Sequence, residues 1–350
     1  MYIFIAIVAF LTMILLHELG HFLTAKACGV RVEEFAVGMG PAIWKKQVGE
    51  TLYALRLIPL GGYCAMAGED GELPDDPRAF TIQAPWKRAV ILVAGATMNF
   101  LTGLVLLLIV FSQSESLNVP VIDSFFEGCP YEADGTLQLG DEFYSIDGHR
   151  TWFSSNVSEY LARGGEEHDI VLIRDGEKVT LNDQTFERKL YPGEERELIG
   201  FRFGTIPATF TNNVRYSWYC AKDFVRMVYM SLHDLLAGAV GVKDLSGPVG
   251  IVSMINDVGE TSETRAAALI NIFYFIAFIS VNLAVMNLLP IPALDGGRIF
   301  FLIVTAIAEG VTRRKIDPKY EGYIHTAGMV LLLGLMAFVL YQDIARIIAR

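Results

Sequence analysis

Four long apolar runs divide the chain, and polar stretches of unequal length separate them. The first run extends from Tyr2 to Leu16 without a charged residue and continues through a polar cluster. The third run begins at Ala266, and prolines interrupt it after about Leu289. Each run is long enough to cross a hydrocarbon core of about 30 Å as a helix. The predicted membrane spans are residues 2–27, 89–111, 266–307 and 323–341.

The long stretch between the second and third runs has a different pattern. In residues 115–205, short apolar runs alternate with turn sequences such as Asp147-Gly148 and Asp175-Gly176, which predicts a small β-rich domain. After Pro207, apolar residues recur at helical spacing, which indicates an amphipathic helix that lies on a membrane surface or packs on its own domain. The predicted organisation is a first membrane half at 1–112, a β-rich domain at 113–206, a connector at 207–265 and a second membrane half at 266–350.

Composition supports a membrane protein and argues against several other classes. Hydrophobic residues make up 53% of the chain and charged residues 19%, and the mean hydropathy is +0.40. These values do not fit a soluble, disordered or collagen-like chain. The net charge of −11 and the lack of a basic patch argue against nucleic acid as a partner. The four cysteines lie far apart and form neither a disulfide framework nor a zinc ribbon.

Charge is distributed unevenly along the chain. Residues 113–265 contain 13 basic and 25 acidic residues, a net of −12, whereas the rest contains 15 and 14, a net of +1. This asymmetry predicts an acidic, water-exposed module between two membrane halves. Basic residues cluster in the two remaining loops, so these loops should face the cytoplasm, with the acidic module and both termini outside. These basic residues are Lys26, Arg31, Lys45, Lys46, Arg56, Arg78, Lys87, Arg88, Arg313, Arg314, Lys315 and Lys319.

A polar cluster, His17-Glu18-Leu19-Gly20-His21, lies inside the first predicted span. Residues four apart share one face of a helix, so His17 and His21 can bind the same metal ion. Glu18 is near enough to hold a water molecule on that ion. Placing two histidines and a glutamate at membrane depth is costly unless they have a function. The cluster therefore predicts a metal site, and an accidental polar cluster is the weaker alternative.

Two histidines leave a zinc site incomplete, because catalytic zinc usually takes three protein ligands and a water. The only acidic residue between Ala266 and Ile307 is Asp295, which lies in the segment from Asn287 to Gly297. Two prolines and two glycines in this segment break the helix and allow Asp295 to turn toward the metal. We therefore predict Asp295 as the third ligand. The alternative is an ion pair with Arg298.

These motifs resemble those of the site-2 protease family of intramembrane metalloproteases, in its bacterial form with a PDZ domain, which includes proteases that regulate sigma factors. Residues 17–21 and 287–297 match the two signature motifs of the family in order and spacing. Residues 60–63, with Gly68-Glu69, resemble its membrane-associated β-loop, 139–148 a bacterial PDZ signature, and 246–251 the segment before the third span. The sequence around Gly95 lacks the proline that is usual after that glycine, and the β-loop departs at Cys64, Ala65 and Ala67.

The resemblance implies a polytopic α-helical membrane protein with about four transmembrane helices and an inserted extracytoplasmic β-rich PDZ domain. It implies that His17, His21 and Asp295 bind Zn²⁺ and that Glu18 is the general base. Asn99 and Asn287 are candidates for hydrogen bonds to the substrate backbone or the oxyanion, and helix–helix hydrogen bonding is the alternative for each.

The expected activity is a zinc-dependent endopeptidase in the lipid bilayer of the bacterial cytoplasmic membrane. Expected substrates are single-span membrane proteins, such as anti-sigma factors or remnant signal peptides. An edge strand around Leu57–Met66 is expected to pair with the unwound substrate. The PDZ domain is expected to bind a peptide terminus or to exclude untrimmed substrates, and a purely structural role is the alternative. The alternative functions are a catalytically inactive PDZ-bearing scaffold and, with less support, a zinc carrier.

Overall fold

The computed structural model describes residues 1–69, 76–163, 165–241, 247–312 and 319–349. The predicted cytoplasmic cluster at 313–315 and residue 246 of the segment before the third span lie outside these ranges. The chain divides into two units, one formed by Met1–Val110 with Phe224–Arg350 and the other by Phe111–Asp223.

The helices and strands follow one another in this order: α1 (Tyr2–Ala27), β1 (Val32–Val48), β2 (Thr51–Met66), α2 (Pro85–Ser112), β3 (Ser116–Phe125), α3 (Pro130–Ala133), β4 (Glu142–Ile146), β5 (His149–Arg150), α4 (Ser154–Tyr160), β6 (Glu167–Arg174), β7 (Glu177–Thr185), β8 (Phe201–Pro207), α5 (Phe210–Leu236), α6 (Pro248–Thr261), α7 (Arg265–Asn287), α8 (Asp295–Thr312) and α9 (Lys319–Ala349). A short 3₁₀ helix, Phe80–Ile82, precedes α2.

Four helices in the described part of the chain are long and apolar enough to cross a membrane, which confirms the predicted number. They are Tyr2–Ala27, Pro85–Ser112, Arg265–Asn287 and Gly322–Arg346. Only 11% of the most apolar stretch of the last helix is buried in the protein, so most of its side chains are free to face lipid.

The third apolar run is shorter as a span than the predicted 266–307. Helix α7 ends at Asn287, and α8 begins at Asp295 after an irregular turn. Pro290 and Pro292 lie in this turn, where a proline lacks the N–H that a continuous helix requires. Among the described residues, the candidate span of this region is α7 alone.

β1 and β2 each bend near the middle and form a sheet of four segments. Residues 32–37 pair on one side with the first half of β2 and on the other with residues 62–66. Residues 42–48 pair with the free side of residues 51–56. The order across the sheet is therefore 42–48, 51–56, 32–37 and 62–66. Residues 62–66 form one edge of this sheet in the described chain.

Two apolar clusters hold the first unit together. One joins the sheet to the end of α1 and the start of α2, and its buried members include Val32, Phe35 and Ile91. The other joins the start of α1 to α6 and α7. Helix α6 is not predicted by the sequence analysis, because its 14 residues are too few to form a span.

The second unit contains a mixture of strands and helices. Five strands lie in the order β7-β6-β4-β3-β8, and β5 pairs with β4. Helices α3 and α4 lie within this unit. The turn residues Asp147 and Asp175 have φ angles of 50° and 51°, a left-handed conformation that aspartate adopts more readily than most residues and that is typical of tight turns.

Candidate metal centre

His17 and His21 lie one turn apart on α1, where an uninterrupted apolar helix directs both rings to the same side. Their Nε2 atoms are 3.2 Å apart, and both side chains are largely shielded from solvent. The helical spacing in the sequence therefore produces the expected pair of converging nitrogen atoms.

Asp295 reaches the same point from the first turn of α8. Its Oδ2 atom lies 3.3 Å from Nε2 of His17 and 3.3 Å from Nε2 of His21. Two glycines follow it because the preceding turn folds closely over α8. A Cβ atom on Gly296 would lie 2.3 Å from the carbonyl oxygen of Leu288, and one on Gly297 would lie 2.2 Å from that of Ile291. The helix break and the glycines thus bring a carboxylate to the two histidines.

The three atoms fit the donor set of a zinc ion. They form a nearly equilateral triangle with sides of 3.2, 3.3 and 3.3 Å. Ligands bound at about 2.0–2.1 Å with tetrahedral angles are about 3.3–3.4 Å apart. Oδ2 of Asp295 is buried and has no hydrogen-bond donor in favourable geometry among the described residues. A carboxylate oxygen and two ring nitrogen atoms that converge this closely could hold a metal ion.

The other ring nitrogen of His21 is held by the backbone of α2. Nδ1 of His21 lies 2.9 Å from the carbonyl oxygen of Ile91. A carbonyl can only accept, so Nδ1 carries the proton and Nε2 is left free to bind a metal. This contact requires close packing of the two helices at Gly95, where a Cβ atom would lie 2.2 Å from Nε2 of His21.

The two predicted asparagines both lie beside the ring of His17. Nδ2 of Asn99 is 3.4 Å and Nδ2 of Asn287 is 3.5 Å from Nδ1 of His17. Asn99 is 2% exposed, and its Oδ1 atom has no hydrogen-bond partner among the described residues. Asn287 is half-buried. The two amides therefore differ in their access to a substrate.

Glu18 lies beside the edge of the four-segment sheet. A Cβ atom on Gly62 would be 3.5 Å from Cγ of Glu18. Glu18 therefore lies beside segment 62–66 in space, and it follows His17 directly in the sequence.

The sequence analysis does not predict an ion pair that joins this sheet to α8. Arg298 donates to Oε1 of Glu69, whose Oε2 accepts the N–H of Met66 at 3.1 Å. Arg298 therefore pairs with Glu69, and the ion pairs among the described residues do not include the alternative pairing of Arg298 with Asp295. The partners are 229 residues apart, so no local spacing indicates the contact.

Ion pairs also link the turn between β1 and β2 to the end of α1. Lys26 donates to Glu50 at 3.0 Å, and Arg78 donates to the other oxygen of the same carboxylate at 2.8 Å. Hydrogen bonds from Lys26 and then Arg78 lower the pKa of Glu50 below its ordinary value. The turn between β1 and β2 is thus fixed at the end of α1.

Comparison with known proteins identifies the family of this site. Residues 5–335 match peptidase family M50. The chain belongs to this family. A Clostridium acetobutylicum protein provisionally named as a zinc metalloprotease is 37% identical to it over 348 residues, covering 98% of this chain and 97% of the relative. A Clostridium perfringens protein with the same provisional name is 35% identical over 349 residues, with 98% of each chain covered.

A third relative carries a more specific name. The regulator of sigma-W protease RasP of Bacillus subtilis is 28% identical over 427 residues, covering 97% of each chain. Membership of family M50 and the names of these relatives make the chain a zinc metalloprotease, and the four apolar helices of its described part make it a membrane protein. The predicted enzyme class and the predicted Zn²⁺ cofactor are confirmed.

Proposed function

We propose that this M50 protein is an intramembrane endopeptidase that cleaves transmembrane segments of single-span membrane proteins. The observation that most supports this proposal is the 3.2–3.3 Å triangle of His17, His21 and Asp295, formed by residues of apolar helices. Polar ligands at membrane depth are costly and mark functional sites. A hydrolytic centre in that position suits a substrate whose cleaved bond also lies in the membrane.

In this proposal His17, His21 and Asp295 hold Zn²⁺, which supplies a water molecule of lowered pKa and polarises a carbonyl group when bound. Glu18 accepts the proton as water attacks the peptide carbonyl and donates it to the leaving amine. Asn99 is too deeply buried to contact a substrate and instead orients His17. Asn287, which is half-buried, hydrogen-bonds the substrate or the developing oxyanion.

The edge segment 62–66 would hold the substrate. A transmembrane helix keeps its carbonyls in its own hydrogen bonds, so a protease must unwind it before cleavage. An unwound segment can pair with an open sheet edge through main-chain hydrogen bonds. Gly62 lies in this edge, and a Cβ atom added to it would be 3.5 Å from Cγ of Glu18, so a substrate strand bound here would run beside the proposed general base.

We propose anti-sigma factors and remnant signal peptides as the substrate classes. The name of the Bacillus subtilis relative, a regulator of sigma-W, supports the first class. The unit Phe111–Asp223 would be an extracytoplasmic PDZ domain that binds a peptide terminus or excludes untrimmed substrates. The acidic charge of residues 113–265 and the basic loops at the other ends of the spans support this orientation in a bacterial cytoplasmic membrane.

The test compares the wild type with Glu18→Gln, purified in detergent and supplied with a single-span anti-sigma-factor fusion. Both proteins should contain about one zinc per chain, and the variant should cleave about 10²–10⁴-fold more slowly because it cannot accept a proton. Glu33→Gln, which alters an exposed carboxyl group on β1, is the matched control and should cleave normally. Equal cleavage by Glu18→Gln would refute the assigned base. Absence of zinc from the wild type would refute the ligand set and favour a scaffold.

A further inference from the structure

A histidine of the first unit that is not a predicted metal ligand contacts the turn that leads to Asp295. His325, in the apolar helix α9, is only 9% exposed. Its Nδ1 atom accepts a hydrogen bond from the backbone N–H of Ala293 at 3.0 Å. Ala293 lies two residues before Asp295 in the turn between α7 and α8. A buried polar side chain thus connects the last span to the turn that presents the carboxylate.

The residue that His325 holds has an unusual backbone conformation. Ala293 has a φ angle of 76°, in the left-handed region that a Cβ atom disfavours. Such a conformation persists when the surrounding contacts enforce it. The described residues with positive φ angles include 14 glycines and four other residues, and the other three of these four are aspartates. Ala293 has no polar side chain that could stabilise this conformation locally. The hydrogen bond from its N–H to His325 can therefore supply that stabilisation.

The hydrogen bond from Ala293 and the packing on Phe301 define the tautomer and the position of the His325 ring. Since Nδ1 accepts an N–H, the proton of the neutral ring is on Nε2, and Nε2 has no hydrogen-bond partner among the described residues. The ring packs edge-on against Phe301, with centroids 5.9 Å apart. The bond to Ala293 is therefore the polar contact that the described chain provides for this side chain.

A second contact places α9 directly on the same turn. Gly328 lies three residues after His325, so both face the same side of the helix. A Cβ atom on Gly328 would lie 2.4 Å from Cβ of Pro292 and 2.9 Å from its carbonyl carbon. The close packing at Pro292 keeps His325 within reach of the next residue, Ala293.

We propose that His325 is a positioning residue that holds Ala293 in its left-handed conformation and thereby directs Asp295 toward His17 and His21. The proposal rests on the assignment of Asp295 as a metal ligand. It gives the fourth span a role in the metal centre although it supplies no ligand.

The main measurement is the zinc affinity of the full-length protein in detergent, obtained by competition with a chromogenic chelator. His325→Phe keeps the ring volume but removes the acceptor, so the Kd for zinc should rise about 10–100-fold, the range seen when a residue that orients a metal ligand is lost. His325→Asn leaves a cavity but keeps an acceptor oxygen in the δ position, so its affinity should stay within a few-fold of the wild type. His233→Phe, which alters a largely exposed histidine, should have no effect.

A rescue experiment separates positioning from general packing. Glycine adopts a positive φ angle without strain, so Ala293→Gly should restore most of the zinc affinity and cleavage that His325→Phe loses. Each variant is first checked for a single elution peak and a normal thermal transition. If His325→Phe alone does not fold, the double variant and His325→Asn are compared with the wild type, and both should bind zinc.

Three results would overturn the proposal. They are unchanged zinc affinity in His325→Phe, weaker binding by His325→Asn than by His325→Phe, and failure of Ala293→Gly to rescue. Asp295→Ala is measured in the same series to separate this proposal from the ligand assignment. If it binds zinc like the wild type, the proposed ligand set is wrong. If it loses zinc while His325→Phe does not, the ligand set stands and the positioning role is wrong.

Discussion

At the level of single residues, the proposed metal centre depends on a glycine as well as on its ligands. Gly95 lets α2 approach α1 so closely that the carbonyl of Ile91 reaches Nδ1 of His21. A methyl group at position 95 would occupy the space of Nε2 of His21, its proposed ligand atom. The proposed ligand geometry therefore requires glycine at position 95, although this residue takes no part in the chemistry.

Gly95→Ala should abolish tight zinc binding, because its Cβ would lie 2.2 Å from Nε2 of His21 and the ring would have to turn away. Zinc content after dialysis against a chelator measures this loss, together with cleavage. The control is Gly334→Ala in α9, where an added Cβ meets nothing within 4 Å and zinc content should not change. Retention of one zinc by Gly95→Ala would show that α1 and α2 can separate without loss of the site.

At the level of elements, the Glu69–Arg298 pair joins the four-segment sheet to α8. One partner follows β2 and the other lies one turn after Asp295, so the pair fixes the proposed substrate edge relative to the proposed ligand. Both side chains are mostly buried, with 18% and 29% of their surface exposed. Hydrogen bonds between charged groups contribute about 1.5–3 kcal/mol, which is enough to affect catalysis.

We expect Glu69→Gln to lower kcat/KM about tenfold, the equivalent of about 1.4 kcal/mol. Arg298→Gln should cost at least as much, and the double variant should be no worse than the poorer single variant, because both remove the same contact. We would measure kcat/KM on the fusion substrate for the wild type, both single variants and the double variant. Glu194→Gln, which breaks the ion pair with the largely exposed Arg202, should leave kcat/KM unchanged. Additive losses would show that the two residues act separately.

A second contact between elements stabilises α6. Asp343 of α9 is 2% exposed and accepts the backbone N–H groups of Gly247 and Gly250 at 3.2 and 2.9 Å. These groups belong to the N-terminus of α6, where the backbone has no partners within the helix. The carboxylate thus caps a helix from a distant part of the chain.

Asp343→Ala should lower the free energy of unfolding by about 2 kcal/mol or more, because two N–H groups lose their acceptor. For a protein of this size the thermal midpoint in detergent should fall by about 3 °C. The matched change Asp257→Ala removes an exposed carboxyl group from α6 itself and should shift the midpoint by less than about 1 °C. A shift no larger than this control would exclude a capping role.

The sequence predicts local features of the fold and site better than distant contacts. The number of spans follows from the length of apolar runs, and the convergence of His17 and His21 follows from helical spacing. The double pairing of residues 32–37 and the contact of Arg298 with Glu69 depend on the tertiary fold, which no local pattern encodes. Helix α6 is missed because a short apolar helix resembles an apolar loop when only hydropathy is considered.

At the level of the whole molecule, orientation in the membrane remains a prediction that can be tested with cysteines. Lys46 in the sheet and Lys189 in the second unit are both exposed. After replacement of the four native cysteines by alanine, Lys189→Cys should react with a membrane-impermeant maleimide in intact spheroplasts. Lys46→Cys should react only after permeabilisation, because its loop is predicted to be cytoplasmic. The reverse labelling pattern would invert the proposed orientation.

The proposed metal ligands come from opposite ends of the 350-residue chain, His17 and His21 near the start and Asp295 near the end. During synthesis, α1 and α2 enter the membrane long before α8 has been made. A growing chain therefore carries two proposed ligands and the proposed general base but lacks the carboxylate that is proposed to complete the centre. We therefore expect a chain that terminates before Asp295 to bind no zinc at this site and to cleave no substrate.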